Sequence, residues 1–87
     1  MLKIQRSSNG EVIFMLAGRL NEEHIAEMET LLRSEAATRK IVLDLKDLTL
    51  VDRDAVRFLE RCEAASIKIK NCPAYIHEWI RRERGSR

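Results

Sequence analysis

Asp44-Leu45-Lys46-Asp47-Leu48-Thr49-Leu50-Val51-Asp52-Arg53-Asp54-Ala55 is the stretch whose reading decides the fold. With the Ile41-Val42-Leu43 that precedes it, residues 41–45 read as a buried, β-branched strand. The polar residues that follow read as a short loop. Asp52 is a good N-cap, because its carboxylate can accept from the free N–H groups of a first helical turn. Asp54 in that turn suits the positive end of the helix dipole. Ala55, Phe58 or Leu59, Cys62 and Ala65 then recur at helical spacing and supply an inner face.

Toward the N-terminus, residues 2–6 alternate apolar and polar as a half-buried strand. Ser7-Ser8-Asn9-Gly10 is a turn cluster whose Asn-Gly signals a hairpin. Residues 11–17 (EVIFMLA) form a second strand, apolar on both faces as a central strand would be, with Gly18 punctuating its end. Asn21 caps a helix with Glu22 and Glu23 in its first turn. Ile25, Met28, Leu32 and Ala36 make its apolar stripe, and Glu29 and Arg33 pair on its surface. Thr38-Arg39-Lys40 connects it to the third strand.

Toward the C-terminus, residues 66–70 (SIKIK) read as a fourth strand, with Ile67 and Ile69 inward and Lys68 and Lys70 outward. Cys72-Pro73 opens a last helix with proline at its favoured first position. Tyr75, Ile76, Trp79 and Ile80 form its apolar face, and Trp79 is the ring that anchors it. Residues 81–87 read as a basic, frayed tail beyond a domain of residues 1–80.

The order is β-β-α-β-α-β-α. Strands joined through helices run parallel with right-handed crossovers, and the first strand adds antiparallel through the hairpin. Short connections of one hand put the crossover helices on one face. The expected fold is therefore α/β, a four-stranded mixed sheet (β-hairpin then βαβαβα) with helices mainly on one face. The other face lacks a helical cover and is a candidate contact surface.

The 87 residues make one domain, 45% hydrophobic and 34% charged. A net charge of +2 does not by itself point to a nucleic-acid partner. No apolar run approaches the ~20 residues of a membrane span, and the first residues lack the apolar core of a signal peptide. A cytoplasmic protein with Cys62 and Cys72 as reduced, free thiols is expected.

The candidate chemistries are thin. Cys62 and Cys72 with His24 or His77 have the wrong spacing for a compact zinc site, so no metal is expected. His24 with Glu22, Glu23 or Glu27 lies on a charged helix face with no companion nucleophile, so no enzyme and no catalytic residue is expected. Asp44 and Asp47 flank a strand end of the kind where open sheets bind ligands. No glycine-rich loop supports a phosphate there, and no cofactor is expected. The tail arginines Arg81, Arg82 and Arg84 suit the negative end of the last helix. Asp52, Arg53, Asp54 and Arg57 cluster on the first turns of the second helix, read either as a recognition patch for a partner protein or as a capped helix start in which Asp52 is the N-cap, Asp54 suits the dipole and Arg57 pairs with a nearby acid.

The ordered set Gly18-Arg19-Leu20, Ile41-Val42-Leu43-Asp44-Leu45, Leu48 through Leu59, and Cys72-Pro73-Ala74 resembles the STAS family. That family comprises the cytosolic domains of sulphate transporters and the bacterial anti-sigma-factor antagonists, and the resemblance runs from about Glu11 to Trp79. Antagonists of the family carry Asp-Ser-Ser-Gly or Asp-Ser-Thr-Gly at the start of the second helix, where a kinase phosphorylates the first hydroxyl residue. Asp52 matches the Asp, but Arg53 stands at the phosphoacceptor position, Asp54 follows, and Ala55 replaces the glycine. Thr49, the nearest hydroxyl, does not match the motif. Many members also continue with another strand and helix, so the fourth strand is expected to be a sheet edge, with Lys68 and Lys70 as residues that discourage edge pairing.

The resemblance implies a small non-catalytic interaction module, similar to an anti-sigma-factor antagonist but without the phosphorylatable serine. It would act in bacterial signal transduction and transcription regulation. The partner-binding residues would be Asp52, Arg53, Asp54 and Arg57. The partner would be an anti-sigma factor or related histidine-kinase-type ATPase domain. The alternatives are a subunit that docks on a transporter ATPase, and a scaffold that self-assembles as a homodimer through the sheet edge or bare face.

Overall fold

The computed structural model describes residues 2–36 and 40–85. The elements are β1 (Leu2–Ser8), β2 (Val12–Leu20), α1 (Glu22–Ala36), β3 (Ile41–Val51), α2 (Arg53–Ala64), β4 (Lys68–Lys70) and α3 (Ala74–Gly85). One sheet runs in the order β1-β2-β3-β4. β1 is antiparallel to β2, while β2 and β3, and β3 and β4, are parallel. The element order and the mixed sheet are those expected.

A single cluster of buried side chains joins the sheet to the helices. Val12, Phe14, Leu16, Ile41, Leu43 and Leu45 come from the central strands; Met28 and Leu32 come from α1; Val56, Phe58 and Leu59 from α2; Ile76 and Ile80 from α3. These strand residues alternate, so they share one face. The opposite face is less covered than the expectation for β2 held. Val12, Phe14 and Leu16 are buried, but Ile13 and Ala17 are half-buried and Met15 is 37% exposed. Val42 is buried there outside the main cluster, between its register neighbours Ile13 and Lys68.

Several boundaries differ from the sequence reading, each for a local reason. β3 does not end at Leu45 but continues to Val51. Its register against β2 slips between Met15 and Ala17 and again between Gly18 and Arg19, so β3 holds an extra residue at each place. These bulges break the period-two pattern that marks a strand in sequence. β2 likewise continues past Gly18 to Leu20, because Gly18 takes φ +96 within the strand at the second slip. β4 is shorter than residues 66–70, since Ser66 adopts φ +70 as the chain turns out of α2. Ala65 is exposed and is the C-cap of α2 rather than part of its inner face.

α3 begins one residue later than expected. The carbonyl of Pro73 accepts from the N–H groups of Ile76 and His77, so Pro73 sits at the cap rather than inside the first turn. The helix continues through Gly85, so Arg81, Arg82 and Arg84 are helical where a frayed tail was expected. Arg84 is held by Glu63 at the end of α2, and Arg81 by Glu78 one turn back. Residues 86–87 lie outside the described residues, as do Thr38, Arg39 and the side chain of Ala36. Glu29 pairs with Arg61 on α2 instead of with Arg33, because it is the half-buried side of α1 that meets its neighbour.

Candidate functional site

The site is the end of β3, the start of α2, and the face of α3 that lies against them. Asp52 is its structural centre. The Oδ1 atom accepts from the N–H of Ala55 at 2.8 Å, the bond expected of an N-cap, with Asp52 itself extended at φ −103. Oδ2 accepts from the N–H of Glu22, the first residue of α1, at 3.1 Å. One carboxylate therefore satisfies a free donor at the start of each of two helices. Asn21 completes the second start. Its side chain accepts from Glu23 N–H at 3.1 Å, and its own N–H donates to Nδ1 of His24 at 3.3 Å. His24 is thus part of a cap in the manner of a capping box.

Arg53 and Arg57 project from the first turns of α2 and converge on Glu83 of α3. Each donates through Nε to Glu83 Oε1, at 3.3 and 3.2 Å. Burial pushes the Glu83 carboxyl up, but the hydrogen bonds and charge of Arg57 and Arg53 outweigh it and hold it below the usual carboxylate range. Asp54 is exposed at the same helix start. Of the four residues expected to form the patch, Arg53 and Arg57 are brought together, Asp54 lies beside them, and Asp52 is turned inward to its two caps. The contribution of Glu83 was not foreseen, nor could a run of mixed charge in α3 have revealed it.

Thr49 donates from Oγ1 to the carbonyl of Gly18 at 2.8 Å, and its own carbonyl accepts from the hydroxyl of Tyr75. Tyr75, expected on the apolar face of α3, is instead 49% exposed, and neighbouring Leu50 is 51% exposed. Trp79 is half-buried and packs on the core, as expected of an anchor. Tyr75, Glu78, Trp79, Arg82 and Glu83 line an open groove along α3.

Elsewhere, Asp44 accepts from the Asn71 side chain at 3.3 Å and from Lys46 N–H at 3.0 Å, which ties β3 to the exit of β4. The uncovered sheet face has a shallow depression lined by Lys3, Gln5, Met15, Ala17, Asp44 and Lys46, among others. Cys62 and Cys72 are free. Burial pushes the Cys62 thiol up to about 12 and raises that of Cys72. Among the described residues no group of three or more His, Cys, Asp or Glu side chains could hold a metal ion, and no helix is long and apolar enough to cross a membrane.

No family model matches the chain, and no curated protein matches it. Among solved structures it is similar to an uncharacterized protein of the DUF3478 family with a SpoIIAA-like fold, from Shewanella loihica PV-4. The TM-score is 0.54 at 21% identity, over 79% of this chain and 60% of the other. The chain therefore spans less than two thirds of that protein's length. The likeness shows the fold: an α/β SpoIIAA-like domain, the fold of STAS domains and anti-sigma-factor antagonists.

Proposed function

We propose that the chain is a small non-catalytic interaction module of the anti-sigma-factor-antagonist kind, acting in the cytoplasm without the phosphorylation switch. It binds a protein partner through the start of α2 and the end of β3. The observation that carries this reading is Arg53. It stands exposed on the first turn of α2, where the resemblance places the phosphoacceptor hydroxyl. The nearest hydroxyl, that of Thr49, is already committed to the Gly18 carbonyl. The partner in this reading is an anti-sigma factor or related histidine-kinase-type ATPase domain. Docking on a transporter ATPase would use the same surface, and gene neighbours separate the two.

The test is Arg53→Asp. The fold should survive, because Arg57 still holds Glu83. Capture of the partner from the native host should weaken by about 2 kcal/mol if Arg53 meets an acidic group in a desolvated contact. Incubation with a kinase of that kind and ATP should leave residues 49–57 unphosphorylated. Stoichiometric phosphate there, or unchanged capture by Arg53→Asp, overturns the reading. A scaffold reading has one observation behind it, the exposure of Met15 on the uncovered sheet face. A homodimer in sedimentation that Met15→Glu abolishes would favour it.

A further inference from the structure

An asparagine side chain is short enough to meet the backbone just after it, which is one reason it favours turns. The same closeness allows a reaction. The next backbone nitrogen can attack the side-chain amide carbon and close a five-membered ring. The chain has three asparagines, Asn9, Asn21 and Asn71, and their surroundings separate them.

Asn21 and Asn71 are held. The N–H after Asn21, that of Glu22, donates to Asp52 Oδ2 at 3.1 Å, and the Asn21 side chain accepts from Glu23 N–H. Attack by the Glu22 nitrogen would give up a helix cap. The Asn71 side-chain nitrogen donates to both carboxylate oxygens of Asp44 at 3.3 Å. The residues that follow these two, Glu22 and Cys72, also carry a Cβ beside the attacking nitrogen.

Asn9 is placed differently. It is exposed in the turn from β1 to β2, beyond the last pair of the ladder, Ser8 with Val12. Its own N–H donates to the Glu11 carbonyl at 3.0 Å. Neither its side-chain amide nor the N–H of Gly10 hydrogen-bonds to another described residue. Gly10 takes φ +81, and a side chain built there would meet nothing within 4 Å. The attacking nitrogen thus belongs to a residue without a Cβ, in open surroundings, and ring closure breaks no bond of the ladder.

We propose that Asn9 is a site of spontaneous covalent modification in the folded protein, and that its isoaspartyl product loosens the β1–β2 hairpin. A solvent base takes the Gly10 N–H proton, and the nitrogen forms a bond to Cγ of Asn9. The bond from Cγ to Nδ2 breaks, and Nδ2 leaves as ammonia with a proton from water. A water molecule then opens the cyclic imide. Opening between Cγ and the Gly10 nitrogen gives an aspartyl residue. Opening on the other side gives an isoaspartyl residue, whose backbone runs through Cγ and is one methylene longer. In sum, an amide and one water give an acid and ammonia.

The longer backbone falls where it matters for pairing, since the turn sets the register of a hairpin. β1 is an edge strand, held by β2, by half-buried Leu2 and Ile4, and by the Arg6–Glu35 pair. The turn lies at the opposite end of the sheet from the start of α2. Val12 pairs with Ile41 in parallel strands, and Asp52 follows Val51 at their far end. The modification is therefore separable from the interface reading above.

The purified chain is kept at mildly alkaline pH in native buffer and, in parallel, in guanidinium chloride. Peptide mapping by mass spectrometry follows each asparagine, and methyl transfer from S-adenosylmethionine by a protein isoaspartate methyltransferase counts isoaspartyl residues. In native buffer Asn9 should lose its amide first, to both products, and faster as pH rises. Asn21 and Asn71 should convert only in guanidinium chloride. Asn9→Gln, which cannot close the same ring, should abolish methyl acceptance in native buffer. The site is overturned if Asn9 converts in guanidinium chloride but stays intact in native buffer. It is equally overturned if Asn21 or Asn71 converts ahead of it there, or if Asn9→Gln still accepts methyl groups. The isoaspartyl form, separated by chromatography, should unfold at lower urea than Asn9→Asp, which has the same added charge and a normal backbone. Equal urea midpoints would overturn the effect on the hairpin.

Discussion

Asp52 shows what a single side chain can do when two helices begin beside each other. Its Oδ1 caps α2 and its Oδ2 caps α1, and an ionised carboxylate has lone pairs for both. Asp52→Ala should remove both acceptors at once. Loss of an N-cap costs about 1 kcal/mol, and an N–H left without its partner adds about 1 kcal/mol more. Urea unfolding should therefore show a loss of about 2 kcal/mol. Thermal unfolding should fall by roughly 4–8 °C for each kcal/mol lost. Asp52→Asn keeps one acceptor oxygen and should recover about half of the loss. Full recovery by Asp52→Asn would mean that only one of the bonds contributes. The bond to Ala55 was legible in the sequence, because N-cap residues act three positions ahead. The bond to Glu22 joins residues 30 apart and follows from the packing of α1 beside α2, which no local pattern encodes.

Helices α2 and α3 are joined along their exposed sides by Arg53 and Arg57 to Glu83, and by Arg84 to Glu63. The Glu83 carboxyl titrates below its ordinary value, since the two arginines outweigh the effect of burial. The sign of the pH dependence follows. A lowered folded value stabilises fully above the unfolded carboxylate pKa of about 4.3, and that stabilisation is lost as pH falls through the folded value. Glu83→Gln should therefore lower the urea midpoint at neutral pH, and the gap to the unsubstituted protein should close in acid well below that pKa. A gap that persists unchanged in acid would assign the effect to packing rather than charge. The elements themselves were largely legible, because α2 announces itself by a cap and a regular apolar face. The long β3 was not. Lys46 and Asp47 look like loop in sequence, and two bulges carry the strand through them. The last turn of α3 was missed because arginine-rich ends resemble tails until Glu63 and Glu78 are seen to hold them.

The molecule has its main core on one side of its sheet, and Cys62 sits inside it. That makes the cysteine a reporter of whole-molecule opening. Its thiol is pushed up to about 12 by burial, the largest influence, with Glu29 and Glu63 adding to the rise and Arg61 opposing it. Two barriers therefore stand between Cys62 and an alkylating reagent at mildly alkaline pH. Little thiolate forms in the folded state, and Cys62 is buried to all but 3% of its surface. Cys72 is only partly buried, with its thiol also raised. In the native protein Cys72 should label first, through local motion at the entry to α3. Cys62 should label only through openings that break the core. If those openings are global, a domain stability of about 5 kcal/mol slows Cys62 by more than about 10³-fold relative to the unfolded chain. Urea below the unfolding transition should then speed Cys62 with the full slope of global unfolding, and speed Cys72 with a shallower one. Asp52→Ala should raise the Cys62 rate by the factor its measured loss of stability dictates, and change Cys72 less. Labelling of both thiols at one rate, with a urea slope well below that of global unfolding, would show that α3 and the end of α2 open together without the rest of the core. That result would place the α3 side of the candidate site on the least stable part of the fold.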